Sequence, residues 1–217
     1  MNPSNESRTR IRQDRGVALF LALTAAALLT AIGASLLIAV STETLIVGSG
    51  RAGDEALYAA DAALARTIHD LAALPDWPAV LSSPSPSASY DDGAAVAVMP
   101  DGRSRSVASL AAQRQAVSDA GGGATRFGAD RPVWRVFGHA PLSRVLPPGL
   151  AAQPAYILSW VGDDGLDGDG DSATDANGRL LVYVEAFGVA GARRGIEAVL
   201  SHAGPQVVRV VAWREAR

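Results

Sequence analysis

An aspartate-rich segment, residues 162–179, carries the side chains of this chain that are best suited to chemistry. Its sequence is GDDGLDGDGDSATDANGR, in which Asp167, Asp169 and Asp171 occupy alternate positions and Asp175 follows four residues later. Carboxylates at alternate positions of a tight turn aim several oxygens at one hard cation, and Ca²⁺ prefers oxygen ligands of this kind. The spacing therefore predicts a calcium site formed by Asp167, Asp169, Asp171 and Asp175.

The same segment lacks two features of an EF-hand. Ser172 stands where an EF-hand has glycine, and Gly178 stands where it has a bidentate glutamate. An EF-hand is not expected, and two alternatives stay open: a looser calcium site, or a solvated acidic turn without an ion.

Composition argues against most other chemistry. The chain has no Cys, all 19 of its basic residues are Arg, and its formal net charge is −3. Thiol and lysine chemistry are thereby excluded, and there is no basic footprint for nucleic acid. The three scattered histidines (His69, His139 and His202) do not suggest a zinc site.

A catalytic metal at the aspartates, or Glu185 as a base, is the enzymatic alternative. Because no nucleophile motif such as G-x-S-x-G occurs, we expect a protein that is not an enzyme.

A charge-free apolar stretch, Val17–Thr42, dominates the N-terminal part. A bilayer core about 30 Å thick needs about 20 apolar helical residues, so this stretch is long enough to span it. A buried core helix is one alternative. A secretory signal peptide cleaved near Ala31 and Gly33 is another, although its apolar region would be shorter.

The residues before this stretch are basic. Arg8, Arg10, Arg12 and Arg15 outnumber the two acidic residues there. Positive charge next to a membrane helix favours the cytoplasmic side, so the C-terminal part is expected outside the cytoplasm.

The junction of Arg15-Gly16 with the apolar run that starts at Val17 resembles the prepilin cleavage site of type IV pilins and pseudopilins. In that family a prepilin peptidase cuts after the glycine, here Gly16, so that the mature chain begins at Val17. Most members have Glu at the fifth mature position, which here is Leu21. Because of this difference, the chain resembles PilX-type minor pilins and the K-type pseudopilins of type II secretion. The segment Leu57–Leu64 is similar to a PilX-type sequence as well.

This resemblance implies a structural protein that helps assemble, initiate or cap a type IV pilus or type II secretion pseudopilus. It further implies prepilin cleavage and methylation. The implied location is the inner membrane, with a single span and the C-terminal domain in the periplasm or on the cell surface within a pilus. The implied partners are other pilins or pseudopilins, bound through the N-terminal helix, and the prepilin peptidase. The alternative function is a membrane-anchored extracytoplasmic module that binds calcium and a partner protein.

After the apolar stretch, Gly48, Gly50 and Gly53 match the G-x-G-x-x-G pattern of dinucleotide-binding proteins. The following segments do not alternate between strands and helices as that fold requires. We therefore expect a weak point in a long helix, where the helix bends, frays or unwinds. The helix resumes at Asp54, with Leu57, Leu64, Ile68 and Leu71 on one face, and ends before Pro75.

Strand patterns accumulate towards the C-terminus. The predicted strands are 94–99, 133–137, 156–161, 180–189, 194–201 and 207–213, with a hairpin turn at 190–192. Residues 82–89 are a Pro/Ser loop, and 118–124 form a glycine-rich mobile segment. The predicted fold class is α+β, with a long N-terminal transmembrane helix followed by an antiparallel sheet, similar to pilins. The predicted parts are a cytoplasmic leader (1–16), the span (17–42), a helix continuation (43–75) and a β-rich domain (76–217).

Overall fold

The computed structural model describes residues 3–75, 77–82, 87–122, 128–147, 149–150, 153–204 and 206–216, with side chains described from Val17 onwards. The chain divides into two compact units, Met1–Gly48 and Ser49–Arg217. The first helix, α1 (Pro3–Ala72), runs through both. The second unit therefore contains the last part of α1 in addition to the β-rich segment.

In the first unit, the charge-free stretch Val17–Thr42 is helical throughout. Its large apolar side chains are exposed, as shown by Leu21, of which 60% is accessible. The helix is long and apolar enough to cross a membrane, and its most apolar window has no buried residue. A core helix is buried against its own domain, so the exposed window does not support that alternative.

The hydroxyl groups of this stretch are bonded within the helix. Each donates to a main-chain carbonyl one turn earlier, at 2.8–2.9 Å, and these residues are Thr24, Thr30, Ser35, Ser41 and Thr42. A polar group in hydrocarbon needs an internal partner, and these bonds provide one.

The glycine stretch is helical, so the predicted unwinding does not occur, whereas a bend at this point stays a prediction. Gly48, Gly50 and Gly53 lie within α1, so they do not form the strand-to-helix turn of a dinucleotide site. Gly53 is buried because the guanidinium of Arg194 lies against it. A Cβ at Gly53 would be 2.7 Å from Nη2 of Arg194. The glycine thus permits a side chain from the sheet to approach the helix backbone closely.

The C-terminal part of α1 packs on the sheet mainly through small residues. Leu64 and Leu71 are buried as predicted, whereas Leu57 and Ile68 are only partly buried. Most of the buried helical face consists of alanine (Ala52, Ala56, Ala59, Ala60 and Ala63). Alanines let the helix lie close to the strands, and a search for large apolar residues does not detect them.

An antiparallel sheet of five strands has the order β3-β4-β5-β6-β7, so that sequential strands are neighbours. The strands are β3 (Arg135–Pro141), β4 (Tyr156–Asp163), β5 (Arg179–Phe187), β6 (Arg193–Gly204) and β7 (Val207–Ala216). A 3₁₀ turn, Val189–Gly191, joins β5 to β6 at the predicted hairpin. The antiparallel α+β layout is thus confirmed.

Several elements precede this sheet. They are a short helix, α2 (Pro78–Leu81), a two-stranded hairpin of β1 (Val96–Val98) and β2 (Ser104–Ser106), and a helix, α3 (Val107–Ala120). The sequence did not predict α3, and the last residues of this helix, 118–120, overlap the predicted mobile segment. Residues 83–86 of the predicted Pro/Ser loop and 123–124 of the predicted mobile segment lie outside the described residues.

The sheet has an apolar cluster on each face. One face packs against α1 through residues such as Phe137, Ile157 and Ile196. On the other, Trp160 and Tyr183 pack with residues of β1 and α3. With both faces covered, β4 is buried along its whole length, and its last residue, Asp163, is buried with it.

Candidate metal centre

The acidic loop, defined here as residues 164–178, connects β4 to β5. The strands pair up to Asp163 opposite Leu180, so both ends of the loop are fixed by the sheet. Gly168 and Gly170, which separate its alternating aspartates, have φ angles of +71° and +80°. Glycine adopts such angles without a steric penalty, which allows the backbone to turn between successive carboxylates.

Three carboxylates converge where β4 ends. One ligand atom from each of Asp163, Asp164 and Asp167 lies within 4.8 Å of the others. Asp163 and Asp164 are only 0% and 4% exposed. Asp163 and Asp164, at the end of β4, thus lie close to Asp167, the first of the alternating aspartates.

Each of the three carboxylates is fixed through one oxygen. Asp163 Oδ1 accepts from the N–H of Asp164 (2.9 Å), and Asp164 Oδ1 accepts from the side-chain amide of Asn177 (3.0 Å). Asp167 Oδ2 accepts from the N–H of Ala176 (3.2 Å). The second oxygens, Asp163 Oδ2, Asp164 Oδ2 and Asp167 Oδ1, are buried and have no hydrogen-bond partner among the described residues. Buried polar atoms without partners are uncommon, and here they belong to three neighbouring acids.

A second group shares Asp167. Asp130, Asp167 and Asp169 also place one ligand atom each within 4.8 Å of the others. Asp130 ends a 3₁₀ turn, Gly128–Asp130, and its Oδ1 is likewise buried without a partner in the described part of the chain. Asp167 therefore stands between two sets of carboxylates.

Asp171 and Asp175, the other predicted ligands, lie outside both groups and hold the loop together. Asp171 accepts from the N–H of Ala173 (3.0 Å) and the hydroxyl of Thr174 (2.9 Å), and these bonds lower the pKa of its carboxyl. Asp175 Oδ1 accepts from the main-chain N–H groups of residues 177, 178 and 179, although burial raises the pKa of its carboxyl.

Electrostatic repulsion accompanies the burial. Burial and, to a smaller extent, the negative charge of Asp167 together raise the pKa of Asp163 to about 7. A cation bound between these carboxylates would reduce their mutual repulsion and would give their unpaired oxygens a partner. An all-oxygen ligand set of aspartates fits Ca²⁺, which tolerates irregular geometry better than Mg²⁺ does.

The sequence analysis missed Asp130, Asp163 and Asp164 as candidate ligands. A signal for two of them existed, because Asp163 and Asp164 directly follow a strongly apolar strand. Side chains at the end of a buried strand are more constrained than those at the tip of its loop. Asp130 comes from a distant part of the chain, and no local pattern indicates it.

The predicted processing residues lie in α1. The helix runs through Gly16 and Val17 without interruption, and Val17 is exposed. No family model, curated protein or solved structure matches the chain.

Proposed function

We propose that the protein is a minor pilin-like structural subunit, similar to PilX-type minor pilins and K-type pseudopilins. It helps assemble, initiate or cap a type IV pilus or a type II secretion pseudopilus. The supporting observation is α1, which combines a charge-free exposed span with a C-terminal part that packs on an antiparallel sheet. Its partners are other pilins or pseudopilins and the prepilin peptidase. It resides in the inner membrane, with the sheet domain in the periplasm or in a pilus at the cell surface.

Processing at the Arg15-Gly16/Val17 junction tests this proposal. We expect N-terminal sequencing of the membrane-extracted protein to give a chain that starts at Val17 and keeps its apolar span. Gly16→Leu should block cleavage, whereas the matched variant Gly33→Leu, within the same helix, should be processed normally. The proposal is contradicted if the wild-type chain keeps Met1. It is also contradicted if the chain starts near Ser35, as it would after removal of a secretory signal peptide.

A membrane-anchored extracytoplasmic module that binds calcium and a partner protein is the second candidate. It is supported by buried carboxylate oxygens of Asp163, Asp164 and Asp167 that have no partner in the part of the chain that the structure describes. These residues would hold the ion, and Asp169 and Asp130 add oxygens next to them. Calcium then has a structural role, because it ties the acidic loop to the end of β4.

Thermal unfolding of the full-length protein in detergent, with calcium, magnesium or chelator, tests this site. We expect a dissociation constant of about 10⁻⁴–10⁻³ M, as in extracellular modules. A hundredfold excess of calcium should then stabilise the fold by about 2.7 kcal/mol. Asp167→Ala should abolish the shift, and Asp61→Ala, which removes an exposed acid of α1 outside the loop, should retain it. If the thermal unfolding midpoint of the wild type does not change in millimolar calcium, the loop is only a solvated turn.

A further inference from the structure

The two edges of the five-stranded sheet differ in what covers them. The outer edge of β3 is occupied by the chain itself, because the N–H of Ala88 donates to the carbonyl of Phe137. The N–H of Asp92 donates to the carbonyl of His139 along the same edge (3.0 Å). β7, at the opposite edge, pairs with β6 on one side, and its other side has no strand or main-chain hydrogen bond among the described residues. An edge of this kind presents a row of unpaired N–H and C=O groups to any further strand.

β7 is also long and apolar for an exposed edge strand. Proteins protect such edges with short strands, proline, charges or bulges. β7 has three charged residues and a bulge at Val211, but it spans ten residues, Val207–Ala216, without a proline. Trp213 is 65% exposed and Val210 is 46% exposed. Exposed apolar side chains beside free main-chain groups are the combination that a partner strand covers.

One face of β7 borders an apolar groove. Val210 and Trp213 pair with Leu200 and Ala198 of β6, which belong to the apolar cluster that packs against α1. The bulge at Val211 keeps Val210 and Trp213 on the same face. Together they line a groove of about 300 Å³ next to α1, whose other lining residues are Asp61, Leu64, Ala65 and Ile68. A strand added to β7 would place apolar side chains on this face.

The other face of β7 carries an excess of positive charge. Arg214 pairs with Glu197 of β6, whose carboxylate accepts from Arg214 at 2.9 Å and from Arg114 of α3 at 3.4 Å. One carboxylate therefore serves two guanidinium groups. Arg209 pairs with Ser201 on the same face and has no carboxylate partner in the part of the chain that the structure describes. Acidic side chains of a partner would balance this charge.

We propose that β7 binds an extended segment of another protein as a sixth strand of the sheet. The segment alternates apolar residues, which face the groove, with acidic residues, which face Arg209 and Arg214. Successive residues of a strand point to opposite faces, so one alternating segment fits both sides of β7. A second copy of this chain fits less well. Its own β7 would bring further arginines, and the one acid of that strand, Glu215, is already paired with Arg194 (3.3 Å).

The test uses the full-length protein in detergent and a fluorescein-labelled peptide of alternating valine and glutamate that is as long as β7. Fluorescence anisotropy measures binding. We expect saturable binding of this peptide, and at least about tenfold weaker binding of the corresponding peptide of valine and lysine. N-methylation of alternate residues removes main-chain donors, so it should abolish binding if the peptide adds to the sheet.

Substitutions at exposed positions locate the binding surface without disturbing the core. Trp213→Ala should weaken binding of the valine–glutamate peptide by at least about tenfold. The matched variant Tyr58→Ala removes an exposed aromatic side chain of α1 outside the groove and should bind as the wild type does. Arg209→Glu should reduce the preference for glutamate over lysine in the peptide. Arg103→Glu, at an exposed position between β1 and β2, should leave this preference unchanged.

Several results would overturn the proposal. One is a wild type that does not bind the valine–glutamate peptide at millimolar concentration, and another is equal binding of the N-methylated or the lysine peptide. Unchanged binding by both Trp213→Ala and Arg209→Glu would show that the peptide binds elsewhere. A wild-type dimer in detergent that is lost with Trp213→Ala would assign β7 to a second copy of the chain instead of an acidic partner.

Discussion

Asp163 ends a fully buried strand, with one carboxylate oxygen bonded and the other without a partner among the described residues. An ionised carboxylate in such a position is costly, and protonation is the alternative to a bound cation. The pKa of Asp163 is raised to about 7 because burial and the charge of Asp167 both disfavour ionisation. We therefore expect this residue to respond to pH and, under the proposed calcium site, to cations.

Without a bound cation, stability should fall as the pH rises from about 4 to about 7. The unfolded chain releases the Asp163 proton near pH 4, whereas the folded chain holds it up to about pH 7, so ionisation favours unfolding across this window. A difference of about three pKa units corresponds to at most about 4 kcal/mol. Denaturant unfolding at a series of pH values in chelator measures this effect.

Asp163→Asn should remove most of this pH dependence, because the amide keeps the acceptor oxygen but cannot ionise. Asp171→Asn is the matched control at an exposed position of the same loop, where the pKa is lowered by hydrogen bonds. A pH profile that is the same in wild type and Asp163→Asn would show that Asp163 is not the group responsible.

At the scale of the elements, the segment with Ala88 and Tyr90 lies against β3 at Gly138. A Cβ at Gly138 would lie 2.5 Å from Cβ of Ala88 and 3.1 Å from Cε2 of Tyr90. All three residues are buried, so neither neighbour can move into solvent. Glycine at this position is needed for a close approach of two chain segments, not for a special backbone angle.

Gly138→Ala should therefore destabilise the protein by about 1–3 kcal/mol, the usual cost of overpacking a core. Gly188→Ala is the matched control, since its Cβ would meet the nearest atoms at 3.4 and 3.5 Å, close to ordinary contact distance. Denaturant unfolding compares the two. Equal stability of both variants would mean that the segment at Ala88 separates from β3 at little cost.

Local patterns in the sequence predicted the five strands of the main sheet and the C-terminal end of α1 to within about four residues, but not the start of α1 at Pro3. A long stretch without charges predicts a helix, and alternation of apolar and polar residues predicts a strand; both patterns can be read without knowing the surroundings. The helix α3 lacks such a pattern, because only Val107 and Leu110 of its residues are buried. The contacts of Gly53 with Arg194, and of Asp130 with the acidic loop, join distant parts of the chain. They depend on tertiary packing, which a local pattern does not encode.

At the scale of the whole molecule, Leu21 bears on the proposed place of the subunit in a filament. Its side chain is apolar and exposed within the span, so it offers no carboxylate to the terminal amine of a neighbouring subunit. An unpaired amine in an apolar bundle is costly. A subunit of this kind is therefore suited to a tip or initiating position rather than to repeated stacking.

Leu21→Glu should weaken initiation or shift the subunit towards incorporation along the filament, because it supplies the missing carboxylate without ensuring a partner for it. The measurement is the number of pili per cell together with immunolabelling of the subunit. Leu23→Glu, two positions away on the same span, controls for the general cost of a charge in the bilayer. Wild-type label spread evenly along the shaft would contradict a tip position.

The hydroxyls of the span have a consequence for how subunits recognise one another. Since Thr24, Thr30, Ser35, Ser41 and Thr42 all donate to their own helix, their hydroxyl protons are not offered to a neighbouring helix. Helices in a membrane can then associate through the fit of their side chains, where small residues allow close approach. Under the proposed function, the span selects its neighbours by shape and not through hydrogen bonds donated by these hydroxyls.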